Sequence, residues 1–176
     1  MTNLQMFLAL GAMILLTILI LNVNRNTSAV EDTMYDSNFG ITGTSIASSI
    51  IEDASKLRFD KVSAVYDPAD STYTHIYVAT DFTPADSLGI DSGEDITNPK
   101  SFNDFDDYNN YSTVDSTMPS AIFNISSRVY YVDDTALDDS STNLTFHKKI
   151  TVRVWSRSMS DTMVISSIYS YWNFLP

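Results

Sequence analysis

Hydrophobic and polar positions divide the chain into three stretches with different periods. Residues 1–24 carry no charged side chain, and from Leu4 to Val23 the run is apolar except for Gln5, Gly11, Thr17 and Asn22. At about 1.5 Å per residue, that run spans roughly the hydrocarbon core of a bilayer. No basic residue precedes it and no small-residue cleavage site follows it, so a secretory signal peptide is a poor fit. Residues 25–60 keep the helical period but become amphipathic. Val30 and Met34 lie four apart, and Ile46, Ile50, Ala54 and Leu57 follow at spacings of four, four and three. Gly40 and Gly43 each cost about 1 kcal/mol against alanine in a helix interior, so bending or fraying is expected there. The pattern predicts one long helix over residues 2–59, about 87 Å long if continuous.

Residues 61–176 change to period two. Thr74–Ala79 reads as a short strand, Ala121–Val132 as a longer one, and Leu144–Ser156 and Thr162–Trp172 as two more. Within Leu144–Ser156, Ile150, Val152 and Val154 point one way while Thr151, Arg153 and Trp155 point the other. The polar connections Asp133–Asn143 and Arg157–Asp161 suit hairpins. Residues 81–120 have weak periodicity and read as a long acidic loop. An antiparallel sheet of about four strands with one apolar face needs a cover, which the amphipathic half of the helix supplies. The expected class is therefore α+β, a long N-terminal helix packed on a C-terminal antiparallel sheet.

Charge narrows the partners. Ten Lys and Arg against 22 Asp and Glu give a net charge of −12, which argues against nucleic acid or an anionic lipid surface. Residues 81–115 hold nine of the acids against Lys100 alone. The chain has no cysteine, so neither a disulfide framework nor a thiolate metal site is available.

Several stretches together resemble a mature type IV pilin or related pilin-like subunit. Met1-Thr2-Asn3-Leu4-Gln5 resembles the start of such subunits after leader removal, where Met or Phe comes first. Thr44 to Asp53, followed by Phe59-Asp60, is similar to the helix end of many prepilin-type proteins. Ser101-Phe102-Asn103-Asp104-Phe105-Asp106-Asp107-Tyr108-Asn109-Asn110-Tyr111 looks like the aspartate-rich segment of minor prepilins from the mannose-sensitive haemagglutinin pilus system, and Phe146–Trp155 resembles their penultimate strand. The resemblance implies a type IV pilin-like fold. It also implies a filament subunit held in the inner membrane before assembly and exposed on the cell surface afterwards. The implied partners are further copies of the chain, a pilus assembly machinery and a prepilin peptidase and methylase. Polymerisation would rest on Met1, Leu4, Gln5, Phe7, Leu8, Gly11, Leu15 and Ile18. Gln5 departs from the pattern, since the family usually carries a glutamate there to neutralise a neighbouring subunit's N-terminal amine.

Other chemistry is sparse. Asp104, Asp106 and Asp107, with Asn103, Asn109 and Asn110, offer the several oxygens that Ca2+ requires. Tyr108 falls where an EF-hand wants Asp or Asn, and no bidentate glutamate closes the loop. A solvated acidic loop held by turn hydrogen bonds is the preferred reading, with Ca2+ as the alternative and no cofactor otherwise expected. Asn26, Asn110, Asn124 and Asn143 stand in N-x-Ser/Thr sequons, which chance alone supplies in a chain this rich in Asn, Ser and Thr. His75 and His147 lie in expected strands without a Ser/Asp arrangement, so no enzyme is expected. Against the filament subunit, major or minor, stands a membrane-tethered binding or sensor domain that never polymerises.

Overall fold

A computed structural model describes residues 2–63, 66–67, 72–73 and 76–174. The chain falls into two compact units, Met1–Phe39 and Gly40–Pro176. Helix α1, Asn3–Ser55, supplies all of the first unit's described structure and the opening element of the second. Thr2 precedes it, and the Gln5 side-chain oxygen accepts the Thr2 backbone N–H at 3.2 Å. Thr2-x-x-Gln5 thus forms half of a capping box, satisfying a donor the helix start would otherwise leave to solvent.

α1 runs through Gly40 and Gly43 without a break, so the helix does not fray there. Packing is the reason at Gly43. A Cβ built on it would meet Met163 Cγ at 3.3 Å, Met159 Cε at 3.5 Å and Val154 Cγ1 at 3.5 Å. Absence of a side chain lets the sheet press against the helix backbone, and that contact offsets the propensity cost. The buried stripe is Gly43, Ala47, Ile51 and Ala54. Ile46, Ile50 and Leu57, expected on it, are half-buried along its flanks. The small residues mark the centre of the contact and the large ones its rim.

The second unit carries a five-stranded antiparallel sheet, so the architecture is α+β. In chain order the strands are β1 Tyr66–Asp67, β2 Thr72–Tyr73, β3 Ser112–Asp115, β4 Phe123–Asp133, β5 Ala136–Ser141, β6 His147–Trp155 and β7 Met163–Ser170. β1 and β2 form a separate small pair. In the main sheet β4 is central, with β6 and then β7 on one edge, and β3 and β5 on the other at opposite ends. Ile125 faces Val154, Val129 faces Ile150, and Val152 faces Ile165 across the ladders.

Two strand expectations fail. Residues 76–79 are not a strand, Ala79–Asp81 forming a 3-10 turn instead, while Thr74 and His75 lie outside the described residues. Conversely β3 and β5 add strands, which makes five in the main sheet rather than four. Both are short, polar and at an edge, so neither carries the apolar alternation that marks a strand with one buried face. The β4–β5 turn is set by Asp133, whose Oδ1 accepts the Thr135 backbone N–H at 3.0 Å and its hydroxyl at 2.7 Å.

Alternation in β6 holds: Ile150, Val152 and Val154 are fully buried, and Arg153 and Trp155 exposed. Phe123, Ile125, Val129 and Tyr131 of β4 share that inward face. A second apolar cluster gathers Phe59, Ile76, Phe82, Leu88, Tyr131 and Tyr171, with Phe59–Phe82 and Phe82–Tyr171 ring centroids 5.0 and 5.2 Å apart.

Candidate functional site

Two features stand apart from ordinary packing, one in each unit. In the first unit, the large apolar side chains of α1 are exposed. Leu4, Phe7, Leu8 and Leu15 retain about two thirds of their surface, and Ile18 about half. Gly11 has no atom within 4 Å of the Cβ it lacks. The segment is long and apolar enough to cross a membrane. Met1 lies outside the described residues, and Gln5 is engaged in the helix cap.

In the second unit, the acidic segment is not the solvated loop the sequence suggested. Asp104, Asp106 and Asp107 are buried, with 2% or less of their surface exposed. A capping box organises them around the 3-10 turn Phe105–Tyr108. Asp104 Oδ1 accepts the Asp106 N–H at 3.0 Å, while Asp107 Oδ2 accepts the N–H groups of Asp104 at 3.0 Å and Asn103 at 2.7 Å. Aromatics seal it: Phe102 lies edge-on to Tyr108 at 5.0 Å, and Phe105 packs on Tyr169 at 4.9 Å. Phe105 N–H donates to Arg58 O at 2.7 Å, and Asn109 bridges Leu88 O and the Val129 N–H. Asn110 then takes a positive φ of 62°, a conformation asparagine tolerates better than most residues.

Lys148 sits at the centre of this cluster. Its side chain is fully buried, and Nζ donates to Phe59 O at 2.8 Å, Asp60 Oδ2 at 2.9 Å and Asp106 Oδ1 at 2.5 Å. All three ammonium protons therefore have an acceptor. The Phe59 and Tyr131 rings lie 4.6 and 5.3 Å from the same nitrogen. Asp60 is held independently of the lysine, by Val62 N–H at 3.2 Å, Thr83 N–H at 3.0 Å, Thr83 Oγ1 at 3.0 Å and Tyr131 OH at 3.4 Å.

These surroundings move the acids in opposite directions. Burial would raise Asp60, but the Lys148 charge and the hydrogen bonds from Lys148, Thr83 and Val62 outweigh it, leaving Asp60 below its ordinary value. Asp104 is compensated less: burial, then the Asp106 charge and hydrogen bond and the Asp107 charge, push it up to about 9 against the opposing Lys148 charge. Burial likewise pushes Asp107 up to about 7, opposed by the N–H groups it accepts and reinforced by Glu94. Tyr131 is raised by burial and by the Asp60 and Asp106 charges.

A pH dependence of stability follows. Folded Asp104 keeps a proton that the unfolded chain releases above about pH 4, so its contribution is complete below that pH and lost as pH rises towards 9. Asp60 acts oppositely, its contribution fading as pH falls below the ordinary carboxylate range. The melting temperature of the second unit is expected to fall by on the order of 5 °C between about pH 5 and about pH 9. Asp104→Asn, which can still accept the Asp106 N–H, should flatten that slope. A wild-type profile without a slope over this range would contradict the assignment.

Among the described residues no group of three or more His, Asp or Glu side chains is arranged to hold a metal ion. Asp106 faces an ammonium, and Asp104 and Asp107 turn oxygens back onto backbone N–H groups. Asn26 and Asn143 are exposed, as is Asn110, while Asn124 lies half-buried on β4. His147 pairs with Asp134 at 2.8 Å at the surface, and His75 is outside the described residues.

Lys148 and Asp60 were legible as residues but not as a site. The available signal was parity: Lys148 is in phase with Ile150, Val152 and Val154, so the strand that buries those three must bury its lysine too. No protein-family model, curated protein or solved structure matches the chain. What fold and site define is an α+β protein whose N-terminal helix can span a membrane and whose second unit encloses a lysine–aspartate cluster.

Proposed function

We propose that this chain is a structural subunit of an extracellular type IV pilus-like filament, non-enzymatic, that polymerises through the apolar part of α1. One observation carries the reading: between Leu4 and Val23 large apolar side chains remain exposed in the chain. Such a surface requires lipid or neighbouring copies. Subunit helices packed side by side in a fibre would replace lipid with protein, so the apolar surface never meets water. At about 25 cal/mol per Å², several hundred Å² per neighbour would keep on the order of 10 kcal/mol of apolar surface out of water, before ordering costs. Copies related by a constant rotation and rise make an open heterologous contact, which builds filaments. Gly11 and Ala12 permit close helix approach, and Leu15 and Ile18 supply bulk beside them. The α+β architecture and the motif resemblance support the same reading.

Gln5 brings a neutral amide where the resembling family has a carboxylate, so this subunit would rely on apolar contact and its own helix cap rather than on an intersubunit ion pair. The test is electron microscopy of material sheared from the cell surface, with mass spectrometry of the fibres. Fibres containing both residues 3–25 and the β-strand peptides are expected. Chain found solely in the membrane fraction would favour the tethered domain.

A further inference from the structure

We propose that Lys148 and Asp106 are joined by an intramolecular amide bond formed by the folded domain itself, with Asp60 as the proton-transferring group. The inference is independent of whether the chain polymerises. Three features of the cluster point to it. Lys148 Nζ lies 2.5 Å from Asp106 Oδ1, in contact with the carboxyl group that would acylate it. A second carboxylate oxygen, Asp60 Oδ2, lies 2.9 Å from the same nitrogen, within reach of the protons that must leave it. The site is dry: lysine, Asp60 and Asp106 have side chains no more than 3% exposed, and the Phe59 and Tyr131 rings flank the nitrogen.

The step balances without an external reagent. Asp60 takes one ammonium proton, and the freed Nζ lone pair attacks Asp106 Cγ. Asp60 passes that proton to an Asp106 oxygen and relays a second from the nitrogen to the same oxygen, which leaves as water. The third proton stays on the new amide N–H, and Asp60 ends as the carboxylate it was at the start. Ammonium and carboxylate, +1 and −1, become a neutral amide, so one pair of charges disappears from a site where burying charge is costly. Asp60 tolerates losing the ammonium because Val62, Thr83 and Tyr131 still donate to it.

The position suits a cross-link. Asp106 and Lys148 are 42 residues apart, so the bond would tie the buried acidic turn to β6 and close a long loop. A chain with no cysteine has no disulfide to do this.

Mass spectrometry of the full chain in detergent tests it. The expected intact mass is about 18 Da below that of the sequence, one water lost on acylation of the amine. Trypsin should release a branched peptide with two α-amino ends, at Ser101 and Val129, joined through Lys148. Fragmentation then separates this product from a dehydrated aspartate elsewhere. An unreduced intact mass, with Lys148 recovered in linear peptides, overturns the proposal, and this readout needs no variant to fold. Asp60→Asn keeps amine and carboxyl but removes the proton relay, and is expected to leave the mass unreduced with near-ultraviolet circular dichroism like the wild type. A folded Asp60→Asn chain that still yields the branched peptide overturns the role given to Asp60.

Discussion

Lys148→Met is expected to destabilise the second unit by about 3–5 kcal/mol, the usual consequence of removing one partner from a buried ion pair. Methionine fills the space of the lysine stem and is apolar, so little packing is lost and the change isolates the charge. What remains is two buried carboxylates with no cation between them. Asp60 keeps its hydrogen bonds from Val62, Thr83 and Tyr131, but Asp106 loses the ammonium 2.5 Å from its Oδ1 and stays buried without it. For a domain of this size the loss corresponds to a fall in melting temperature of about 10–20 °C at neutral pH. Pairing Lys148→Met with Asp106→Asn should recover a good part of it, because a missing partner costs less than an orphaned charge. Near-ultraviolet circular dichroism of the full chain in detergent, followed through a thermal ramp, reads all three chains. A single variant melting within about 2 °C of the wild type would show that the lysine contributes no net stability. If the amide forms in the wild type, the variant loses the cross-link in place of that ion pair, and the fall lies at the upper end of the range.

Period was enough for the long elements and failed where it carries no information. The last turns of the helix and the cores of β4 and β6 follow from 3.6 and 2 residue repeats because each buries a face, and burial is what writes the repeat; β7 keeps the alternation between half-buried and exposed positions. β3 and β5 are polar edge strands; β5 is set by an Asp133 turn and pairing along one edge of β4, both invisible to a hydropathy pattern. The repeat puts Ala54 on the buried helix stripe, as observed, but picks Ile46 and Ile50 where Ala47 and Ile51 are buried, because Gly43 and Ala47 lie at its centre. Small residues score low on any hydrophobic scale, yet they sit where two backbones come closest. The acidic segment was misread for a related reason. Nine acids over residues 81–115 look like a solvated surface when counted, but the three that matter are distinguished by their neighbours. Phe102, Phe105, Tyr108 and Tyr111 interleave with them, and aromatics at that density drag the turn inward. Once inside, the aspartates need donors, and the inward phase of Lys148 supplies one. Aromatic spacing and strand parity, taken together, would have found the cluster without coordinates.

Leu15→Asp or Ile18→Asp is expected to abolish filaments while the second unit keeps its near-ultraviolet spectrum and melting temperature, since neither residue is buried in the chain. An aspartate at the middle of an apolar helix costs about 3 kcal/mol on membrane insertion, and as much again or more if buried unpaired among neighbouring subunits. The result alone does not distinguish failed insertion from failed assembly, and a second substitution separates them. Gly11→Leu adds bulk without polarity where an added Cβ has open space around it, so folding and membrane retention are expected to be unchanged. Close helix approach at that position is nevertheless blocked. The filament reading predicts wild-type levels of Gly11→Leu in the membrane fraction and few or no fibres. For a tethered domain that never polymerises, Gly11→Leu would be silent in every assay, because a lone helix in lipid has nothing to approach. Normal fibres from Leu15→Asp would sink the role assigned to α1, since no apolar core of packed helices accommodates an unpaired carboxylate at each copy.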